Sequence, residues 1–514
     1  PVTLRVRLNE SDMAKVAARL PLLPGVDIRA TTLRHYPIGA ATAHIVGYTG
    51  RISAQDLENI DKAAYRGQQY IGKVGIERSY EDELRGRIGY QKIETDASGR
   101  ILRKIANEPA KPGLDLYLTI DAELQKRAIK ALDGRAGSVV AIDPDNGDVL
   151  AMVSLPTYDP NLFIGGIDQR SFSRLMENSK RPLFHRAVRG QYPPGSTIKP
   201  LLALAGIDNG IVTPWHQYFC PGFKKLPTSK RKYRDWKRSG HKNTDMSRAI
   251  IESCDVYFYE LALALGINEM HDFLNRFGLG EKTRIDLIGE RSGLVPSEPW
   301  KQAHYGENWY AGETIIAGIG QGFMLTTPIQ LASFTATIAK HGERFYPRLT
   351  QAVNNPIADE RQLLPPRKAY PVQLNKDENW QHVIGAMRGV LFNPRGSARR
   401  ITKNMPYEAA GKTGTAQVFG LDQDSEYGEL QEDEKLRDHA LFVAFAPIKD
   451  PQIAIAVVVE NGGSGGRVAA PIAREVMDAW LLELSPEKRS RRRPDPSETT
   501  VENHHTSEAV THAH

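Results

Sequence analysis

The 514 residues are 40% apolar and 25% charged and include only two cysteines, which suits folded domains of roughly 100–200 residues each and excludes a disulfide framework. No run of about 18 apolar residues occurs, which excludes a membrane span within these residues, and no signal-peptide pattern is present. The net charge is +6, and a basic run lies at Lys488, Arg489, Arg491, Arg492 and Arg493, without the interleaved aromatics that stack bases, so no nucleic-acid partner is expected.

From the N-terminus, Asp12–Leu20 reads as a helix, Val26–Arg34 as a strand and Ser53–Ala64 as a second helix. Lys73–Arg87 has a helical core stopped at Gly86, a glycine suited to a helix end. Pro109, Pro112 and Gly113 place a domain boundary at residues 108–114. Beyond it, Gly137–Ile142 and Asp148–Val153 are apolar runs joined by Asp143-Pro-Asp-Asn-Gly147, whose Asn-Gly pair signals a hairpin. A mostly helical stretch follows over about 170–340. Strands return at Gly414–Val418, Leu441–Phe445 and Ile453–Glu460, and Ala469–Leu484 closes as an amphipathic helix. Strands at both ends with helices between predict an α+β domain, an antiparallel sheet covered by helices. Residues 486–514, rich in Ser, Thr, Glu and His, cannot bury a core and read as a disordered polar tail.

Three short motifs carry the chemistry. In Tyr192-Pro-Pro-Gly-Ser-Thr-Ile-Lys-Pro200, Ser196 and Lys199 are three apart and share a helical face. A serine hydroxyl becomes a nucleophile when a base takes its proton, and a lysine serves as that base once burial or neighbouring charge lowers its pKa. Ser253-Cys-Asp255 is the second motif. Gly411-Lys-Thr-Gly-Thr-Ala416, opening a strand, is the third, its glycine allowing a ligand to approach the strand edge. Taken singly, each has a bland reading: a surface helix, a helix cap, a solvated lysine. In this order and spacing they follow the S-x-x-K, S-D-N and K-T-G set of penicillin-binding proteins and class A β-lactamases, with Asp255 at the third place of the second motif.

With these motifs, and with Lys73–Gly86, Tyr158-Asp-Pro-Asn-Leu162, Gly318-Ile-Gly-Gln-Gly322, Thr327-Pro-Ile-Gln330 and Arg437-Asp-His439, the chain resembles the class B penicillin-binding proteins of the elongation machinery. The resemblance covers nearly all residues to about 485. It implies a pedestal domain of mixed α/β structure over 1–114 and a transpeptidase domain over 115–485. It further implies a serine D,D-transpeptidase that cross-links peptidoglycan stem pentapeptides in cell elongation and shape maintenance and is acylated by β-lactam antibiotics. By position, Ser196 is the nucleophile and Lys199 its base. Ser253 with Lys412 relays a proton to the leaving D-alanine. The N–H groups of Ser196 and Thr415 form the oxyanion hole, and Thr413, Gly414 and Thr415 hold the substrate carboxylate. Asp255 stands where the family usually has Asn, which leaves its contact with substrate open. Relatives carry a membrane anchor. Because residue 1 is Pro rather than Met, the sequence reads as lacking that segment, with this portion expected in the periplasm at the inner membrane. Expected partners are the glycan polymerase RodA and the scaffold MreC.

Cys220, Asp235, His241 and Cys254 make a Cys-x14-Asp-x5-His-x12-Cys set. Thiolate, carboxylate and imidazole all bind zinc, and four close a tetrahedral site. The spacing matches no short zinc-finger pattern, and on the residues alone a disulfide or two buried thiols stay open. The resemblance implies a structural zinc, because relatives have a zinc site here with Asp commonly in place of Cys220. Against the main reading stand a β-lactamase, which has no need of a 114-residue pedestal, a D,D-carboxypeptidase, which differs only in its acceptor, and a non-catalytic scaffold, which would not keep the four catalytic side chains.

Overall fold

The structure, a computed structural model, describes residues 4–6, 8–28, 32–98, 100–227, 230–417 and 437–485. The expected tail, with its basic run, and Val418 lie outside them. Frequent glycines and polar residues keep the N-terminal elements short. A helix spans Glu10–Arg19, capped by Asn9, and another spans Ala54–Asn59, where Ser53 and Asp56 cap each other reciprocally. The second helix stops earlier than expected because Ile60 turns to extended backbone. Strand β1 (Tyr48–Arg51) pairs antiparallel with β2 (Tyr70–Val74), so Lys73 and Val74 are strand, not helix. Helices Gly75–Ser79 and Glu81–Arg85 follow, and Gly86 ends the second at φ 73°. A ribbon of β3 (Tyr90–Thr95) and β4 (Ile101–Glu108) stands almost wholly exposed. The strand expected at Val26–Arg34 is absent from its described residues, 26–28 and 32–34. Arg34 and the Tyr36 hydroxyl instead donate to the buried Glu77 carboxylate.

The C-terminal domain begins with β5 (Asp115–Leu118), the helix Ala122–Leu132, β6 (Gly137–Ile142) and β7 (Val149–Leu155). The helical stretch is interrupted by four three-residue strands too short to carry a periodic signal: β8 (Tyr218–Cys220), β9 (Phe223–Lys225), β10 (Lys232–Arg234) and β11 (Lys242–Thr244), paired β8 with β11 and β9 with β10. Then come β12 (Thr350–Asn355), β13 (Glu360–Leu363), β14 (Ala410–Ala416), β15 (His439–Ala446) and β16 (Ile453–Val459). The main sheet is antiparallel in the order β14-β15-β16-β6-β7. Every residue of β6, β7, β15 except His439, and β16 is buried. That pattern requires cover on both faces. The helix Pro328–Ala339 packs across β15, β16 and β6, and the helix Ala470–Asp478 across β15 and β16. Each Val, Leu or Ile so enclosed contributes about 1.5–3 kcal/mol, which makes this sheet the rigid floor of the domain.

The two regions meet through specific bonds. Tyr80 Oη donates to Asp286 Oδ2 at 2.9 Å, Tyr36 and Asn161 exchange backbone–amide bonds at 3.0 Å, and the buried rings of His44 and His185 lie 5.0 Å apart.

Candidate active site

Pro193 and Pro194 end the preceding segment, and Gly195 takes φ 52°, a left-handed conformation that favours glycine. Ser196 therefore sits on a 3-10 turn, Gly195–Ile198, and the α-helix starts only at Lys199. Side chains three apart eclipse on such a turn, so the shared face survives. The turn is pressed onto β14: a methyl group added at Gly195 would lie 2.5 Å from Thr415 O, and one at Gly414 would lie 2.7 Å from Thr197 Cγ2. Gly195 N donates to Gly320 O at 2.9 Å. The turn that carries Ser196 thus packs directly against the Lys412–Thr415 strand.

Helix Met246–Ile251 ends and helix Asp255–Leu265 begins around Ser253, which is left-handed at φ 58°, an uncommon state for a non-glycine residue. This aims Ser253 Oγ between two fully buried lysines. Lys412 Nζ is 2.8 Å away. Lys199 Nζ donates to Ser253 Oγ at 3.3 Å, to Ser253 O at 3.0 Å and to Asp255 Oδ1 at 2.7 Å. Burial pushes Lys412 well below the usual lysine range, helped by the charge of Lys199 and opposed by Asp255. A neutral Lys412 amine can take the Ser253 proton while Ser253 Oγ accepts from Lys199, so each group has a partner. Lys199 lies on Ser253 and Asp255 rather than on Ser196, whose hydroxyl has no hydrogen bond among the described residues; such contacts tighten when substrate arrives. Both carboxylate oxygens of Asp255 are engaged within the protein, Oδ1 by Lys199 and Oδ2 by Trp236 N at 3.1 Å. Thr413 Oγ1 is 2.7 Å from Ser397 Oγ, and Thr415 O accepts from Gln321 Nε2 at 3.0 Å.

Behind Ser253, the ligand atoms of Cys220, Asp235, His241 and Cys254 lie within 4.8 Å of one another, all four residues buried. Both thiols are free. Asp235 Oδ2 accepts from Asp255 N at 2.8 Å and Val256 N at 3.2 Å, at the start of the helix behind Ser253. Burial pushes the Asp235 carboxyl up, but the hydrogen bond and charge of His241 outweigh it and hold it down at about 2. The Cys254 hydrogen bond, reinforced by His241, lowers Cys220 to about 5. His241 turns Nδ1 toward Cys220 Sγ and Asp235 Oδ1. Its Nε2 is buried without a hydrogen bond, 4.0 Å from Glu252 Oε2. Two cysteine sulfurs, a carboxylate and an imidazole nitrogen facing one small volume, with the Glu252 carboxylate behind the ring, fit a four-coordinate zinc and its outer support.

Several supporting residues escaped the sequence reading. Trp236 Nε1 donates to Ser253 O and Glu252 O, each at 3.1 Å; only its place beside Asp235 hinted at this. Tyr192, inside the first motif, donates through its hydroxyl to Glu460 Oε1 at 2.7 Å, and Glu460 pairs with Arg186. His439 packs edge-on against Tyr192, which gives the Arg-Asp-His motif a structural place. Ser397 carried no signal of its own.

Comparison with known proteins agrees with this geometry. The sequence matches the penicillin binding protein transpeptidase domain over residues 137–478 and the penicillin-binding protein dimerisation domain over residues 1–118. It is 44% identical over 482 residues to the peptidoglycan D,D-transpeptidase MrdA of Acinetobacter baumannii, spanning 94% of this chain and 71% of that one. It is 38% identical over 487 residues to MrdA of Escherichia coli, spanning 94% and 76%. Among solved structures, Pseudomonas aeruginosa PBP2 in complex with WCK 5153 superposes with a TM-score of 0.78 at 46% identity, covering 89% of this chain and 93% of that one. Helicobacter pylori PBP2 in complex with MreC does so with 0.82 at 31%, covering 93% and 84%. With its three motifs gathered around Ser253 and both domains matched, the chain belongs to the penicillin-binding protein family of peptidoglycan D,D-transpeptidases, in the group of MrdA and PBP2.

Proposed function

We propose that the chain forms stem-peptide cross-links in peptidoglycan during cell elongation through an acyl-enzyme on Ser196. The observation that carries this reading is Ser253 Oγ held between Lys199 and Lys412, with the Ser196 turn packed on the strand that carries Lys412. Transfer of the Lys199 proton through Ser253 Oγ to the neutral Lys412 amine first frees the Lys199 amine; Ser196 Oγ then attacks the carbonyl between the two terminal D-alanines and its proton passes to Lys199. The N–H groups of Ser196 and Thr415 hold the oxyanion, usually the largest single term in such catalysis. Thr413 and Thr415, with Gly414 between them, seat the terminal carboxylate near Lys412. Collapse breaks the amide bond, Ser253 passes a proton to the departing D-alanine nitrogen, and Lys412 replenishes it. A side-chain amine of a neighbouring stem then attacks the Ser196 ester, forming the cross-link and freeing the serine. β-Lactams acylate the same oxygen.

Zinc belongs to this reading as a structural ion held by Cys220, Asp235, His241 and Cys254. When bound, it contributes its binding energy to folding and steadies the loop that carries Ser253. RodA and MreC are the partners assigned to the pedestal, and the periplasmic face of the inner membrane is the location. No helix among the described residues is long and apolar enough to cross a membrane. Labelling with a fluorescent penicillin tests the core of the proposal. Wild type gives a stable adduct mapped by mass to Ser196, and Ser196→Ala, still folded, gives none. Normal labelling of that variant would show the nucleophile to be misassigned.

A further inference from the structure

The β9–β10 ribbon beside the catalytic groups has two unlike faces. Its register sets Lys232 opposite Lys225, Tyr233 opposite Lys224, and Arg234 opposite Phe223. Side chains alternate along a strand, so Lys224 and Tyr233 share one face. That face is turned inward: Lys224 Nζ donates to Glu260 Oε1 at 2.6 Å, and a methyl group added at Gly312 would lie 2.3 Å from the Tyr233 hydroxyl. The other face presents Phe223, Lys225, Lys232 and Arg234. The three cations are exposed, and none has a carboxylate partner among the described residues. Lys232 Nζ lies 5.0 Å over the Phe223 ring. Like charges directly opposite on paired strands are destabilising, yet Lys225 and Lys232 stand so, with Arg234 two residues along. An anionic partner offsets that repulsion.

The face runs directly into the site. Arg234 is followed by Asp235, which accepts the Asp255 N–H at 2.8 Å, and by Trp236, whose indole N–H reaches Ser253 O at 3.1 Å. On the transpeptidase reading, a polymer with one stem at Ser196 has further stems that carry free carboxylates. A membrane surface would instead ask for free apolar residues inserted beside the cations; Phe223 is half-buried beneath Lys232, and Trp236, though exposed, is tied by its indole N–H to Ser253 O and Glu252 O. We propose that the outward face of the β9–β10 ribbon, through Lys225, Lys232 and Arg234, binds the carboxylates of neighbouring stem peptides on the peptidoglycan strand being cross-linked. The transpeptidase reading supplies the identity of that polymer.

The test is co-sedimentation of the purified chain with isolated peptidoglycan sacculi at low and high salt, alongside penicillin acylation of the same preparations. Wild type should sediment, less so at high salt, as exposed charges are screened over about 10 Å at 0.1 M. The triple variant Lys225→Gln, Lys232→Gln, Arg234→Gln should lose at least tenfold in binding while acylation stays within twofold. Lys225→Glu alone separates charge from folding. It creates an opposite-charge pair with Lys232, so it should raise the melting temperature and still weaken binding. Unchanged sacculus binding by both variants, no binding by wild type, or binding indifferent to salt overturns the proposal. So does loss of binding to phosphatidylglycerol vesicles with sacculus binding kept, which would assign the face to a membrane. Failure of wild type to react with penicillin would instead sink the transpeptidase reading and is read separately.

Discussion

Replacing Glu460 with Gln probes how the nucleophile turn is anchored to the sheet. Glu460 follows β16 directly and is held at three points. Arg186 Nε and Nη2 donate to its two oxygens at 3.0 Å each, and the Tyr192 hydroxyl donates at 2.7 Å. The Arg186 side chain is 3% exposed and that of Glu460 22%. Removing one partner of a buried ion pair typically costs about 3–5 kcal/mol, because the other charge stays buried and unmatched. Gln keeps one acceptor, Arg186 also donates to Lys180 O and Arg181 O, and Glu460 is partly wet. The expected loss therefore falls at or just below the low end of that range, about 2–3 kcal/mol. Tyr192 is four residues before Ser196, so acylation should slow as well, by about tenfold to a hundredfold for a displacement approaching 1 Å. Urea unfolding measures the first quantity. Penicillin acylation, well below the unfolding midpoint, measures the second. A double-mutant cycle with Arg186→Met should return a coupling of about 2 kcal/mol. If Glu460→Gln loses less than about 0.5 kcal/mol, the pair behaves as a surface salt bridge and the anchoring argument fails.

Three other outcomes follow from the same reasoning. Gly195→Ala should lower acylation by about a hundredfold, since its methyl group would press on backbone at Thr415 O from a residue at φ 52°; a rate within threefold of wild type would mean the turn has room to move. Burial pushes His44 down to about 4, so below pH 6.5 the unfolded chain takes up a proton that the folded chain refuses. His44 should thereby remove about 3 kcal/mol of stability between pH 6.5 and 4, at about 1.36 kcal/mol per unit; His44→Phe should flatten that part of the stability profile, and an unchanged slope would show that other groups set it. Purified protein should hold close to one zinc per chain, and His241→Ala should lower metal content, melting temperature and acylation together; absence of metal in wild type would remove zinc while leaving the serine chemistry intact.

The chemistry of this protein was legible in the sequence because acyl transfer requires particular residue types at close spacing. Ser196 and Lys199 are set on one face by local backbone geometry alone, and the Lys412–Thr415 strand carries its hydroxyls two residues apart, at Thr413 and Thr415, and so on one face. The central sheet was legible too, since strands buried on both faces must be apolar almost throughout, as β6 and β16 are. Other features depended on pairings across long sequence separations. Lys199 and Asp255 are 56 residues apart and bond at 2.7 Å; Tyr192 and Glu460 are separated by 268. Neither pairing leaves a periodic trace, because its partners belong to different elements. The left-handed backbone of Ser253, which aims its hydroxyl between two lysines, is imposed by the helices on either side and by the Trp236 indole, not by the residue itself. The short strands β8–β11 went unseen for the same reason. Three residues carry too little pattern to declare a strand, and their place is decided by what they pack against: Glu260, Gly312 and the ligand cluster beside the active site.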